Sequence, residues 1–198
     1  MTLAIIEHFH FHMRGHGKEG RPQASNSVVM RQVRCITRSM ILPEGFVVAT
    51  DDGHIIWNPK QQKQKRVKIS SIATVLHAVR DKSGKLELIV VGDSNGGIHI
   101  IGISSMSIKC SFNTNSAVRS LCASSMHDKC VIVGCENGSI HMVGESLPAG
   151  IIHLVELENP ASALRLEGRM LKIIHGWETT EFELQKTLMK KSNLLIVT

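Results

Sequence analysis

Hydrophobic residues along this chain gather in short runs, and the runs recur. Four segments align: "VVATDDGHIIW" (47–57), "VVGDSNGGIHI" (90–100), "IVGCENGSIHM" (132–142) and "IIHGWETTEFE" (173–183). Each has an aliphatic, β-branched run, a polar turn and then a strand of alternating character. The Asp-Gly and Asn-Gly dipeptides at the turns favour tight hairpins, because such turns need positive φ. Another apolar run precedes each hairpin: 33–41, 73–79, 117–124 and 162–166. A further one follows it: 66–70, 107–112, 151–157 and 193–197. The pattern predicts four short strands per repeat, four times over.

The interval is close to 42 residues. Gly92, Gly134 and Gly176 fall 42 apart, and Gly53, Gly96 and Gly138 hold the turn position of the first three segments. In this alignment Thr180 takes that place in the fourth. A four-stranded unit of this length cannot bury both its faces alone, and its repetition is the pattern of β-propeller blades. The expected fold is all-β, a propeller of about four blades over 28–198, with blades near 33–70, 71–114, 115–160 and 161–198. Residues 1–27 read as an N-terminal strand followed by the polar linker "GHGKEGRPQASNS" (15–27).

The chain here resembles the WD-repeat propeller family, whose blades commonly read small-Gly-x-x-Asp-Gly-Thr-Ile-Arg-Ile-Trp-Asp across their second and third strands. "VVGDSNGGIHIIG" and "VIVGCENGSIHMVG" follow this pattern closely, and "VVATDDGHIIWNP" keeps Trp57 near the strand end. The chain departs from the family in lacking a Gly-His dipeptide before each first strand, and Trp57 alone stands for the terminal tryptophans. The family's buried hydrogen-bond network is therefore not assigned to residues from sequence. Rings in that family mostly close with seven or eight blades, so four imply that more is needed. A second copy, a further stretch of polypeptide or a second chain would complete the ring, since open blade edges and faces are a liability in solution.

Composition narrows the functional classes. The chain of 198 residues is 42% hydrophobic and 20% charged, as expected of a globular protein. Aromatics make up only 4%, with no tyrosine, which leaves few platforms for stacking single-stranded nucleic acid. The net charge of +6 points towards acidic partners. No apolar run reaches the length of a spanning helix, so no membrane role is expected. Five cysteines without a CxxC pair suit a reducing, intracellular setting, cytoplasmic or nuclear.

Candidate chemistry is sparse. In "HFHFHMRGHG" an extended backbone puts His8, His10 and His12 on one side, and the pair His8 and His10 could clamp a divalent metal. The structural alternative, an edge strand with phenylalanines inward, is preferred. Cys122, His127, Cys130 and Cys135 are read as a structural set, because Cys130 and Cys135 bracket one strand and point to opposite faces. His99 and His141 occupy equivalent positions of neighbouring blades and read as part of the repeat. "GDSNGG" is a repeat turn, and no nucleophile elbow, phosphate-binding loop or zinc-protease motif is present. No catalytic residue and no cofactor is expected.

The best contact residues are Lys60, Lys63, Lys65, Arg66 and Lys68 of "NPKQQKQKRVK" (58–68), with the loop 81–85. The expected role is a non-catalytic scaffold offering loop rims to protein partners, since blades are a rigid frame and turns vary freely. The alternatives are a basic module for RNA or another polyanion, and a metal-binding or enzymatic propeller using the N-terminal histidines. Metal analysis of untagged protein separates the last of these. The scaffold reading expects none bound, whereas metal lost in a His8→Ala/His10→Ala variant supports the metal reading.

Overall fold

The structure is a computed structural model that describes residues 4–5, 34–123, 130–147 and 149–184. These residues contain no helix; they form four antiparallel sheets, each a meander of strands consecutive in sequence. Blade 1 comprises β2 (Arg34–Leu42), β3 (Gly45–Thr50), β4 (His54–Pro59) and β5 (Lys65–Lys68), with β1 (Ala4–Ile5) added along β2. Blade 2 comprises β6 (Ala73–Arg80), β7 (Leu86–Asp93), β8 (Gly97–Gly102) and β9 (Ser107–Asn113). Blade 3 comprises β10 (Val118–Ala123), β11 (Cys130–Cys135), β12 (Ser139–Gly144) and β13 (Ile151–Glu156). Blade 4 shows β14 (Ala161–Glu167), β15 (Met170–His175) and β16 (Glu178–Glu183). The run 193–197, expected as its fourth strand, lies outside the described residues, as does the linker 15–27.

The core lies between blades rather than within them. Strand alternation gives every sheet two faces, and in blades 2 and 3 both are apolar. Val47, Ala49, Ile55 and Trp57 of blade 1 meet Ile89, Val91 and Ile101 of blade 2. On the opposite face of blade 2, Leu88, Val90, Ile98 and Ile100 pack against Val131, Val133 and Val143 of blade 3. Ile132, Ile140 and Met142, on the other side of blade 3, pack against Leu171 and Ile173 of blade 4. This explains why the second strand of each inner blade is a continuous apolar run, not an alternating one.

A device invisible in the hydrophobic pattern repeats in all four blades. The first strand slips register by one residue at the same place, between Ile36 and Arg38, Ala73 and Val75, Val118 and Ser120, and Ala161 and Ala163. The bulged residue in three blades carries a hydroxyl that donates to the second strand. Thr37 Oγ1 donates to the Ala49 carbonyl (3.3 Å), Thr74 Oγ1 to Gly92 (3.1 Å) and Ser162 Oγ to Ile174 (3.0 Å). In blade 3 the bulged residue is Arg119, which pairs instead with Glu136.

The same strands are stitched from one blade to the next. The Arg38 guanidinium donates to the Thr74 carbonyl, Thr74 Oγ1 to that of Val118 (2.6 Å), and Ser120 Oγ to that of Ala161 (2.9 Å).

The bulge also corrects the alignment of the fourth repeat. Its register places Ile174, not Gly176, at the position of Gly92 and Gly134. Gly176 instead lies in the two-residue turn between His175 and Glu178, and Thr180 falls inside β16 rather than at a turn. The β14–β15 connection (168–169) is shorter than its counterparts in blades 2 (81–85) and 3 (124–129), so a fixed 42-residue offset misaligns blade 4.

Gly134 tests the junction between blades 3 and 4. A Cβ there would fall 2.5 Å from Ser120 Oγ and 2.8 Å from Ala161 Cβ. Gly134→Val is expected to lose about 1–3 kcal/mol in urea denaturation. The exposed control Lys82→Ala should stay within about 0.5 kcal/mol of the parent.

Candidate interaction surface

In a four-stranded meander the first and third hairpin turns share one end, so residues 60–64 and 81–85 lie on the same rim. Neighbouring loops brace them. The Lys60 amide donates to the Glu44 carbonyl (2.9 Å), and the Arg80 guanidinium grips the Glu44 carboxylate at 2.5 and 3.0 Å and the Gly84 carbonyl at 2.8 Å. The Arg80 hydrogen bond holds Glu44 below the ordinary carboxylate range and raises Arg80 in turn. Asp81 Oδ1 accepts from the Ser83 hydroxyl (2.6 Å), the Ser83 amide (2.8 Å) and the Lys85 amide (3.0 Å). These bonds, that of the Ser83 hydroxyl first, keep its carboxylate charged.

The basic run does not act as one patch. Lys60 and Lys63 stand exposed at the rim. The Lys65 ammonium crosses to blade 2 and donates to the Ser104 carbonyl at 2.6 Å, an inter-blade tether. Arg66 and Lys68 point away from the blade 1–blade 2 core, on which Val67 packs. Lys68 lies three residues along β5 from Lys65, about 10 Å distant, and pairs across to His54 near the opposite rim. Charged side chains on an outer strand also protect its edge from pairing with other chains.

The opposite rim carries the second hairpin turns. Gly53, Gly96 and Gly138 have φ of 81°, 85° and 86°, the left-handed geometry that the Asp-Gly and Asn-Gly signals require. The polar network is most complete in blade 2. Asp93 Oδ1 accepts from the Asn95 and Gly97 amides, both at 2.8 Å, while Oδ2 meets His99 Nε2 at 3.1 Å. His99 Nδ1 then reaches Ser111 Oγ at 2.9 Å. Blade 2 thus has a buried polar network of its own at this turn.

His141, equivalent to His99, contacts Ser139 Oγ at 3.0 Å and the edge of the His153 ring at a centroid distance of 5.1 Å. In blade 1 Thr50 Oγ1 binds Asp52, and in blade 4 His175 Nε2 meets Thr180 Oγ1 at 2.6 Å. Each turn is locked by its own polar set, which supports the structural reading of these histidines.

No group of three metal-binding side chains occurs among the described residues, and His8, His10 and His127 lie outside them. Cys122, Cys130 and Cys135 are buried. Burial pushes the Cys110 and Cys122 thiols up to about 12, far from the thiolate a nucleophile needs.

Sequence reasoning passed over Trp177, which lies fully exposed at the tip of the β15–β16 hairpin. The signal was present: it is an indole in a turn whose counterparts hold Asp, Asn, Ser and Glu.

Comparison with solved structures places the chain among β-propellers. A computationally designed protein, Ika4, aligns with TM-score 0.63 and 17% identity over 76% of this chain and 91% of its own. Sqt1 of Saccharomyces cerevisiae aligns with TM-score 0.64 and 14% identity over 76% of this chain and 46% of that one. A chain of the mitotic checkpoint complex gives TM-score 0.63 and 13% identity over 77% and 49%. The chain thus spans about half the length of these two natural propellers. No family model matches the sequence, and no curated protein does.

Two half-buried imidazoles set an expected pH response. Burial holds both His77 and His141 below the ordinary imidazole value, His141 also through His153. Their stabilising contribution is full above about pH 6.5, the unfolded value, and is lost as pH falls through the lower folded values. The urea midpoint should drop between about pH 7.5 and pH 5.5, and less in a His77→Gln/His141→Gln variant. An equal drop in both proteins would mean that other groups control it.

Proposed function

We propose that the protein is a non-catalytic interaction scaffold, a propeller resembling the WD-repeat family that presents its loop rims to protein partners in an intracellular setting. The observation that carries this reading is the braced rim over blades 1 and 2. Exposed Lys60 and Lys63 stand beside the Asp81-centred loop, on a frame fixed by apolar inter-blade layers. Rigid strands bearing ordered polar loops can hold a partner without refolding, which keeps the entropic cost of binding low. Propeller neighbours include a crystal structure of BBS1N in complex with ARL6DN and one of a mitotic checkpoint complex. Both are assemblies of proteins, and that supports the same role here.

The span of about half a natural propeller supports a second element of the reading. Further blades, from a second copy, a further stretch of polypeptide or another chain, complete the ring.

A polyanion-binding module is the second reading, favoured by the exposure of Lys60, Lys63, Arg66 and Lys68 on blade 1. Quantitative affinity capture from cell extract, with retention on a heparin column, separates the two. On the scaffold reading, Lys60→Glu/Lys63→Glu loses specific protein partners by tenfold or more, whereas Asn95→Ala on the opposite rim keeps them. Loss of heparin retention in steep proportion to salt, without loss of any protein partner, would establish the polyanion module instead.

A further inference from the structure

The outward face of blade 4 breaks the pattern that joins the other blades. In blades 1 to 3 the face turned towards the next blade has a row across its centre that is apolar apart from His77. The rows are Met40–Val47–Trp57, His77–Val90–Ile100 and Cys122–Ile132–Met142, each a set of residues directly paired across three strands. The corresponding row of blade 4 is Arg165–Lys172–Glu181. Its charges are paired within the sheet: Arg165 Nε lies 2.8 Å from Glu167, and Lys172 Nζ lies 3.4 Å from Glu167 and 3.2 Å from Glu181. These pairs raise Lys172, the Glu181 bond contributing most.

The adjacent row differs in shape as well. Blades 1 to 3 pair a small residue with a buried isoleucine: Ala49 with Ile55, Gly92 with Ile98 and Gly134 with Ile140. The small residue is required, because the first strand of the next blade abuts it. A Cβ at Gly92 would strike Val118, and one at Gly134 would strike Ala161. Blade 4 has Ile174 paired with Thr179, and Ile174 is 46% exposed. A further blade docked in the geometry of the other junctions would meet a branched side chain where its first strand must lie. It would also bury three charges against apolar residues.

At the other end of the array, the face of blade 1 turned away from blade 2 exposes Ile41 (89%) and Phe46 (41%), with Arg66 and Lys68 on its outer strand. A two-copy ring would need blade 4 of each copy to stack on blade 1 of the other, a heterologous contact that otherwise propagates into open filaments. We propose that the outward face of blade 4 is a terminating surface, closed by charge and by Ile174 to blade 1 of a second copy, so that copies of this chain do not join head to tail. Terminal repeats of solenoids use polar outer faces to the same end. The inference rests on the proposed need for further blades, and it removes a second copy of this chain as their source.

The test is absolute mass in solution, by light scattering on the full chain across a dilution series. The parent protein is compared with Arg165→Met/Lys172→Val/Ile174→Gly/Thr179→Ile/Glu181→Met, and circular dichroism reports folding. The parent is expected to be monomeric, and the variant to gain association that doubles its mass or extends it into larger species. Where the fivefold variant fails to fold, the milder Lys172→Val/Ile174→Gly pair is scored in the same way. A folded variant that stays as monomeric as the parent overturns the proposal. So does a parent dimer that Thr179→Arg, on the blade 4 face, breaks apart. A parent dimer broken by Ile41→Arg but indifferent to Thr179→Arg supports it. None of these readings uses the rim, so loss or survival of the scaffold reading leaves this result separately interpretable.

Discussion

The structure depends on apolar burial between sheets. A single four-stranded blade buries one strand of hydrogen bonds on either side of each inner strand, yet leaves two broad faces in water. Only stacking against another blade removes both from solvent, at roughly 25 cal/mol for each Å² of apolar surface covered. Val90 and Ile89 show the division of labour within one strand. They are neighbours in sequence, both buried, and serve opposite junctions. Every other feature serves this arrangement, including the bulge hydroxyls that hold the first strand to the second and the side chains that stitch successive first strands together.

Much of the fold was legible in sequence because it rests on composition and period. The Asp-Gly and Asn-Gly turns, the alternation after them and the recurrence of Gly53, Gly96 and Gly138 state the hairpins directly. The fourth blade was misread by two positions because the connection between its first two strands is shorter than in blades 2 and 3, and a period measured on other copies carries no information about a loop deletion. The bulges were missed altogether. Thr37, Thr74 and Ser162 look like ordinary polar residues at the start of strands, and their role emerges only from the register.

The candidate surface was legible in part. Charge alone drew attention to Lys60, Lys63, Lys65, Arg66 and Lys68, but a run in sequence is not a patch in space. A strand turns alternate residues to opposite faces and carries each about 3.3 Å further along. Lys65 is thereby spent on Ser104 while Arg66 faces the other way. The charged row of blade 4 was hidden for a related reason: Arg165, Lys172 and Glu181 sit on three different strands, and only cross-strand pairing shows that they replace an apolar row.

The two tryptophans lie in contrasting places. Trp57 is sealed in the layer between blades 1 and 2, and Trp177 stands fully in solvent on the last hairpin. With no tyrosine in the chain, these two indoles account for nearly all of its near-ultraviolet emission. The protein therefore carries two built-in optical reporters at opposite ends of the blade array. One responds to loosening of the first junction, the other to anything that settles on the far rim, and their emission maxima separate the two events without a label.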